Sequence, residues 1–244
     1  MSEAVDFLDN GELDFLDSYE GQGLDAFGAK DVAAAFLGLV QPGSKHESAS
    51  CKPGTWRNTA SGRNFGNMVK VVPLAFKTIW SERESEAPYR TVARYEPHSI
   101  KVDTRTVKGK AYPKMYNPET GNEVQELYIY AVVLPDYPEE GILYCNPTVG
   151  GMRACRAWNT QIKSALLPSG KSAPIFGFQW LLVADCVTNP QRPSEQIAQF
   201  IKAERDSVVS KDLFMQSIKS NIEAAQAAVV QATTLGIEAP ADET

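Results

Sequence analysis

The run Met68-Val69-Lys70-Val71-Val72-Pro73-Leu74-Ala75-Phe76-Lys77-Thr78-Ile79-Trp80 limits the possible folds more than any other part of the chain. It is rich in β-branched and aromatic residues, and a proline at its middle would break a helix. It therefore reads as one long strand, with Pro73 marking a bulge or an edge position. Residues 89–95 alternate, with Tyr89, Thr91, Ala93 and Tyr95 set against Arg90, Val92 and Arg94, and predict a second strand. Further strands are expected at 100–107, 126–134, 142–145 and 175–188, the last bent or bulged at Gly177. Ser61-Gly62 and the segment from Asn117 to Asn122 are turn signals.

Helical patterns are fewer. Asp31 caps an expected short helix from Val32 to Val40, and Thr148 caps another over 150–166, which Pro168-Ser169-Gly170 ends. Ser194–Ala203 and Lys211–Thr233 read as helices, the second rich in alanine. The order predicts a mainly β protein with helices. Its core would be an OB-like β-barrel, with a helix before the last core strand and helices at the C terminus. Another α+β sheet order fits the pattern nearly as well. The expected organisation is an acidic segment over 1–31, a core domain over 32–190, a helical extension over 191–234 and an acidic tail over 235–244.

Charge is distributed unevenly. The net charge of −6 conceals an N-terminal segment, 1–31, with nine acids against Lys30. Residues 52–114 instead carry thirteen Lys and Arg against five acids, interleaved with Trp56, Phe65, Phe76, Trp80, Tyr89, Tyr95 and Tyr112. Cations neutralise phosphates and aromatic faces stack on unpaired bases, so a sheet bearing both suits a single nucleic-acid strand. The candidate stacking residues are Trp56, Trp80, Tyr89 and Tyr95. The candidate phosphate contacts are Arg57, Arg63, Lys70, Lys77, Arg90 and Arg94. Two acidic repeats, Phe7-Leu8-Asp9 and Phe15-Leu16-Asp17, suit a docking peptide for a protein partner.

Catalytic signatures are weak. Gly170-Lys171-Ser172 looks like the end of a phosphate-binding loop, but Ala165 stands where that motif needs glycine. Neither His46 nor His98 sits in a nucleophile setting. Cys51, Cys145, Cys155 and Cys186 form no CxxC pair, so no metal or other cofactor is expected. The first residues lack the basic start and apolar run of a signal peptide, and no stretch reaches transmembrane length. A cytoplasmic chain with reduced thiols and no membrane association is expected.

The stretch from Lys52 to Gly62, the strand from Val69 to Ile79, Leu134-Pro135-Asp136-Tyr137-Pro138 and Ala173-Pro174-Ile175-Phe176-Gly177 add a resemblance. Together they resemble tailed-bacteriophage proteins of the OB-like single-stranded DNA-binding type, over roughly residues 32–190. The resemblance implies a protein that coats single-stranded DNA in phage replication or recombination, in the host cytoplasm if phage-encoded. Phage proteins of that role often end in a long, very acidic tail that recruits partners. Here the C-terminal tail is short, and residues 1–25 are the acidic run that would substitute. The resulting expectation is a non-enzymatic single-stranded DNA-binding protein with possible replication or recombination partners at its N terminus. The alternatives are an adaptor or inhibitor that binds a host enzyme, and a metal-dependent nuclease using Glu96 and Asp103.

Overall fold

The computed structural model describes residues 35–84, 90–106, 113–147, 151–189 and 192–231. All of them belong to one compact unit spanning 34–244. The expected N-terminal segment, the strand end at Tyr89, the Thr148 cap and the acidic tail lie outside the described residues.

The fold is mainly β, and among the described residues eleven strands form one sheet. They are β1 (Phe36–Leu39), β2 (Trp56–Asn58), β3 (Asn64–Gly66), β4 (Met68–Arg83), β5 (Thr91–Tyr95), β6 (Asp103–Arg105), β7 (Lys114–Tyr116), β8 (Glu123–Val133), β9 (Leu143–Cys145), β10 (Phe178–Asn189) and β11 (Arg192–Val208). The main path runs β11-β10-β4-β8-β9-β1-β2-β3, with β5 on β4 and the β6–β7 pair on β8. The long strand expected from Met68 is β4, and its pairing with β8 shifts register between Pro73 and Ala75. The bulge read from Pro73 is therefore present.

The sheet curls until the two sides of its path meet. Gln41, just past β1, donates from Nε2 to the Ala198 carbonyl of β11 at 3.2 Å and accepts the Ala198 N–H at 3.1 Å. The side-chain amide thus imitates one rung of a ladder at the outer edge of β11. The rings of Trp56 and Phe200 pack edge-on at 6.0 Å. Gly54, at φ +81°, lies so close that a Cβ would stand 3.0 Å from the Cys186 amide nitrogen, a position open only to glycine.

Helix α1 (Met152–Ser164) lies across the inner face. Its buried residues are Cys155 and Trp158. Trp158 stacks on Tyr130 at 4.4 Å and meets Trp180 and Phe200 at 6.3 and 6.2 Å. Gly151 starts the helix where a Cβ would sit 2.4 Å from the Pro147 carbonyl. A second, smaller core lies on the outer face, where Ile218 and Ala225 pack on Val72, Leu74, Ala131 and Val133. These residues come from the expected C-terminal helical stretch. It runs as a turn at Lys211–Leu213, π and 3-10 turns through Asn221, and helix α2 (Ile222–Gln231).

Three expectations are corrected. Residues 36–39 form β1 rather than part of a helix, because they are held between β9, in parallel, and β2, antiparallel. Residues 194–203 are not helical but belong to β11, which pairs with β10 along its length. Ala198, Phe200 and Ala203 are its buried residues, so the inward period is two until a bulge at Ile201. The stretch expected to open a helical extension is therefore part of the sheet. Finally, Gly177 closes a 3-10 turn before β10, while the bulges of that hairpin lie further on.

Candidate nucleic-acid interface

Of the ten residues singled out from the sequence, Tyr89 lies outside the described residues, and the other nine fall into five places. Trp56 (0% exposed) and Trp80 (5% exposed) are core residues. Trp56 packs against Phe200, and Trp80 lies edge-on to His98 at 5.0 Å. Neither presents a face to a base, so their assignment as stacking platforms is corrected. Large aromatics bury more apolar area than other residues, and here the curl of the sheet supplied the interior to do so.

Arg57 and Arg63 serve the turn that joins β2 to β3. The Arg57 Nε donates to the Gly62 carbonyl at 3.2 Å. Arg63 pairs with Glu139 and, at 3.4 Å, with Glu140, while its guanidinium lies 4.4 Å over the Tyr137 ring. Glu140 also accepts from Ser61 Oγ at 3.0 Å and from Asn58. This network pins the turn to the 3-10 segment Pro138–Glu140. Lys70 sits apart, 3.6 Å from Asp206 of β11.

The remaining cations come together at the outer half of β4. Opposed pairs are Ser81 with Arg94, Arg83 with Thr91, Lys77 with Ile129 and Arg83 with Glu123. Side chains two apart on a strand share a face, so Lys77, Arg83 and Arg94 lie on one face of the β5–β4–β8 sheet. They span about 20 Å at about 3.3 Å per residue. Arg90 is exposed where the chain enters β5, its carbonyl accepting the Glu84 N–H at 2.9 Å. The face is not free of acid. Lys77 Nζ is 2.6 Å from Glu96, and Lys114 pairs with Glu123. Arg83 was counted among the basic residues but not singled out; its place beside Arg94 follows from the register.

On the opposite face Tyr95 is tied down. Its hydroxyl donates to Glu82 at 2.7 Å, joined there by Asn117 Nδ2 at 2.9 Å, Thr120 Oγ1 at 2.5 Å and Asn122 Nδ2 at 2.8 Å. Burial pushes the Glu82 carboxyl up, but the bonds from Thr120, Asn117, Tyr95 and Asn122 prevail and hold it at about 2. The same bond raises the Tyr95 phenol above its ordinary value. Glu82 is fully buried and locks the 117–122 turn onto β4. Sequence reasoning missed this role, though the polar turn Asn117-Pro118-Glu119-Thr120-Gly121-Asn122 carried its donors.

Elsewhere the chemistry is quiet. Burial holds the Cys155 thiol up at about 12 and raises Cys145 well above its ordinary value, so both are neutral core groups. Glu96 pairs with Lys77, and exposed Asp103 lies 3.9 Å from Arg105. Among the described residues no group of three or more His, Cys, Asp or Glu is placed to hold a metal ion. No helix among them is long and apolar enough to cross a membrane.

A family model described as Pam3 phage gp34-like protein matches residues 8–226. The match covers most of the chain. Searches of curated proteins and of solved structures find no match.

Proposed function

The chain belongs to the Pam3 phage gp34-like protein family, and from that premise we propose that it is a non-enzymatic protein that binds single-stranded DNA during phage replication or recombination. The observation that carries the reading is the shared face of Lys77, Arg83 and Arg94, with Arg90 exposed at its rim. The strand order supports reading the core as OB-like. In chain order β4, β8 and β9 are followed by α1, then β10 and β11, and the sheet order is β11-β10-β4-β8-β9. That is the arrangement expected of a five-stranded barrel with its helix between the third and fourth strands. OB barrels take oligonucleotides at strands two and three and at the loop between strands one and two. Here that loop spans 84–122 and carries β5 to β7.

The mechanism is backbone neutralisation with limited stacking. In the Lys77–Glu96 pair the carboxylate is exposed while the lysine is mostly covered, so a phosphate would take the place of Glu96 from the solvent side. Four engaged cations would give a slope of log affinity against log salt near about −3, from roughly −0.7 per phosphate on a single strand. Tyr89 keeps its stacking role in this proposal. Residues 1–31 are proposed to recruit replication or recombination proteins.

Charge reversal tests the face. Arg90→Glu with Arg94→Glu should weaken binding of a labelled single-stranded oligonucleotide by tenfold or more, measured by anisotropy. Unchanged affinity would remove this face as the site. A second reading, a protein-binding adaptor, is favoured by a groove of about 340 Å³ lined by Leu166, Leu167, Pro168, Phe178 and Val208 together with Arg205, Asp206 and Ser207. Leu166 and Val208 are 55% and 44% exposed there. An intact fold that binds neither strand form of DNA would favour that reading.

A further inference from the structure

Residues 141–184 contain no Asp or Glu, although the chain as a whole is acidic. Within them lie Arg153, Arg156, Lys163 and Lys171. The first three fall at i, i+3 and i+10 of α1, so they line one stripe of the helix, about 15 Å long at 1.5 Å per residue. The apolar side of α1 is fixed inward by Cys155 and Trp158, which turns this stripe outward. Arg153, Arg156 and Lys163 are exposed, together with Thr160 and Ser164 between and beside them. Lys171 is exposed in the tight turn after the helix, where its carbonyl accepts the Leu167 N–H.

Arg153, Lys163 and Lys171 differ from the cations of the basic sheet region. Arg63, Lys70, Lys77 and Lys114 are each already paired with a carboxylate. Arg156 reaches Glu126 at 3.8 Å and the Tyr128 hydroxyl at 3.3 Å. Arg153, Lys163 and Lys171 have no carboxylate partner among the described residues. An incoming polyanion would displace no ion pair to reach them.

An aromatic lies beside the stripe. Phe76 is 37% exposed on the same face of β4 and packs on Tyr128 and Tyr130 at 5.6 and 5.0 Å. Tyr130 in turn lies under Trp158 of α1 and donates its hydroxyl to Asn159 at 2.8 Å. Phe76 is thus one ring removed from the helix, and its neighbours hold it rigid. A rigid exposed ring that packs on Tyr128, which also meets Arg156 of the stripe, suits a base and its phosphate.

We infer that the outer face of α1, with Lys171 and Phe76, is a second track for a single nucleic-acid strand, on the opposite face of β4 from Lys77, Arg83 and Arg94. The inference rests on the single-strand-binding reading above, and it assigns the first contacts to cations that are free rather than to those already paired.

The test is anisotropy of a fluorescein-labelled oligo-dT with the full chain across a salt series. The variants are Arg153→Gln with Lys163→Gln, and separately Phe76→Leu, with thermal unfolding as a check on the fold. The double variant should weaken binding on the order of tenfold near 0.1 M salt and make the salt slope shallower by about 1.4, two charges at roughly 0.7 each. Phe76→Leu should weaken binding several-fold and leave the slope unchanged. If the wild type binds and the double variant keeps its affinity and slope, the α1 track is wrong while the sheet face stands. If both variants affect duplex as much as the single strand, the track is not a single-strand site. If the wild type does not bind oligo-dT at all, both readings fall together.

Discussion

Glu82 is the residue whose chemistry is most strongly set by its surroundings. Four hydrogen bonds converge on a fully buried carboxylate and hold its pKa at about 2. A depressed folded value contributes stability that is complete above the unfolded carboxylate value and is lost as pH falls through the folded one. Against an ordinary value of 4.5, the shift corresponds to about 3 kcal/mol. The urea midpoint of the wild type should therefore drop between roughly pH 5 and pH 2. Glu82→Gln places an amide donor against four donors and should cost about 2–4 kcal/mol at pH 7 while flattening that acid drop. A variant as stable as the wild type, with the same acid profile, would contradict the role. None of this was legible beforehand, because Glu82 and Asn117–Asn122 are far apart in sequence and one acid among strand residues carries no pattern. The tryptophans were misread for a related reason. Residue type favours Trp56 and Trp80 for stacking on a base as much as for packing in a core, and only the curl of the sheet decides. Trp56→Ala should cost about 3–5 kcal/mol, seen as a lowered melting temperature, as a buried core residue does.

At the scale of elements, strands rich in β-branched and aromatic residues were legible and a strand built from helix formers was not. Strands β4, β5 and β8 and helix α1 lie where their periodicity placed them. β11 was not, because Ala198, Gln199, Lys202, Ala203 and Glu204 are good helix formers and the bulge at Ile201 breaks the period of two. Pairing with β10 outweighs a propensity worth only a few tenths of a kcal/mol per residue. The meeting of β1 and β11 depends on Gln41, whose amide satisfies both backbone groups of Ala198. Gln41→Ala removes two hydrogen bonds and should cost about 1–2 kcal/mol. Hydrogen exchange at the Ala198 amide should accelerate, with the interior of β10 unaffected. Equal protection in both proteins would show that another group closes the sheet there. The basic elements were legible as a class but not in detail. Arg63 with Glu139 and Lys70 with Asp206 are ion pairs between distant parts of the chain, so which cations remain free is a property of the fold alone.

For the whole molecule, the fold places two sets of cations on opposite faces of β4 within an acidic chain. In the proposed function this distribution serves an unpaired nucleic-acid strand. All four tryptophans are buried, with exposures of 0%, 5%, 0% and 1% for Trp56, Trp80, Trp158 and Trp180, so direct quenching by bases is not the expected signal. The most direct measurement is equilibrium anisotropy of a labelled oligonucleotide, single-stranded and then as the duplex, across a salt series. The expected result is saturable binding of the single strand, markedly weaker binding of the duplex, and affinity that falls with a log–log slope of about −3 or steeper. Equal affinity for both forms, or no binding at low salt by a folded chain, would contradict it.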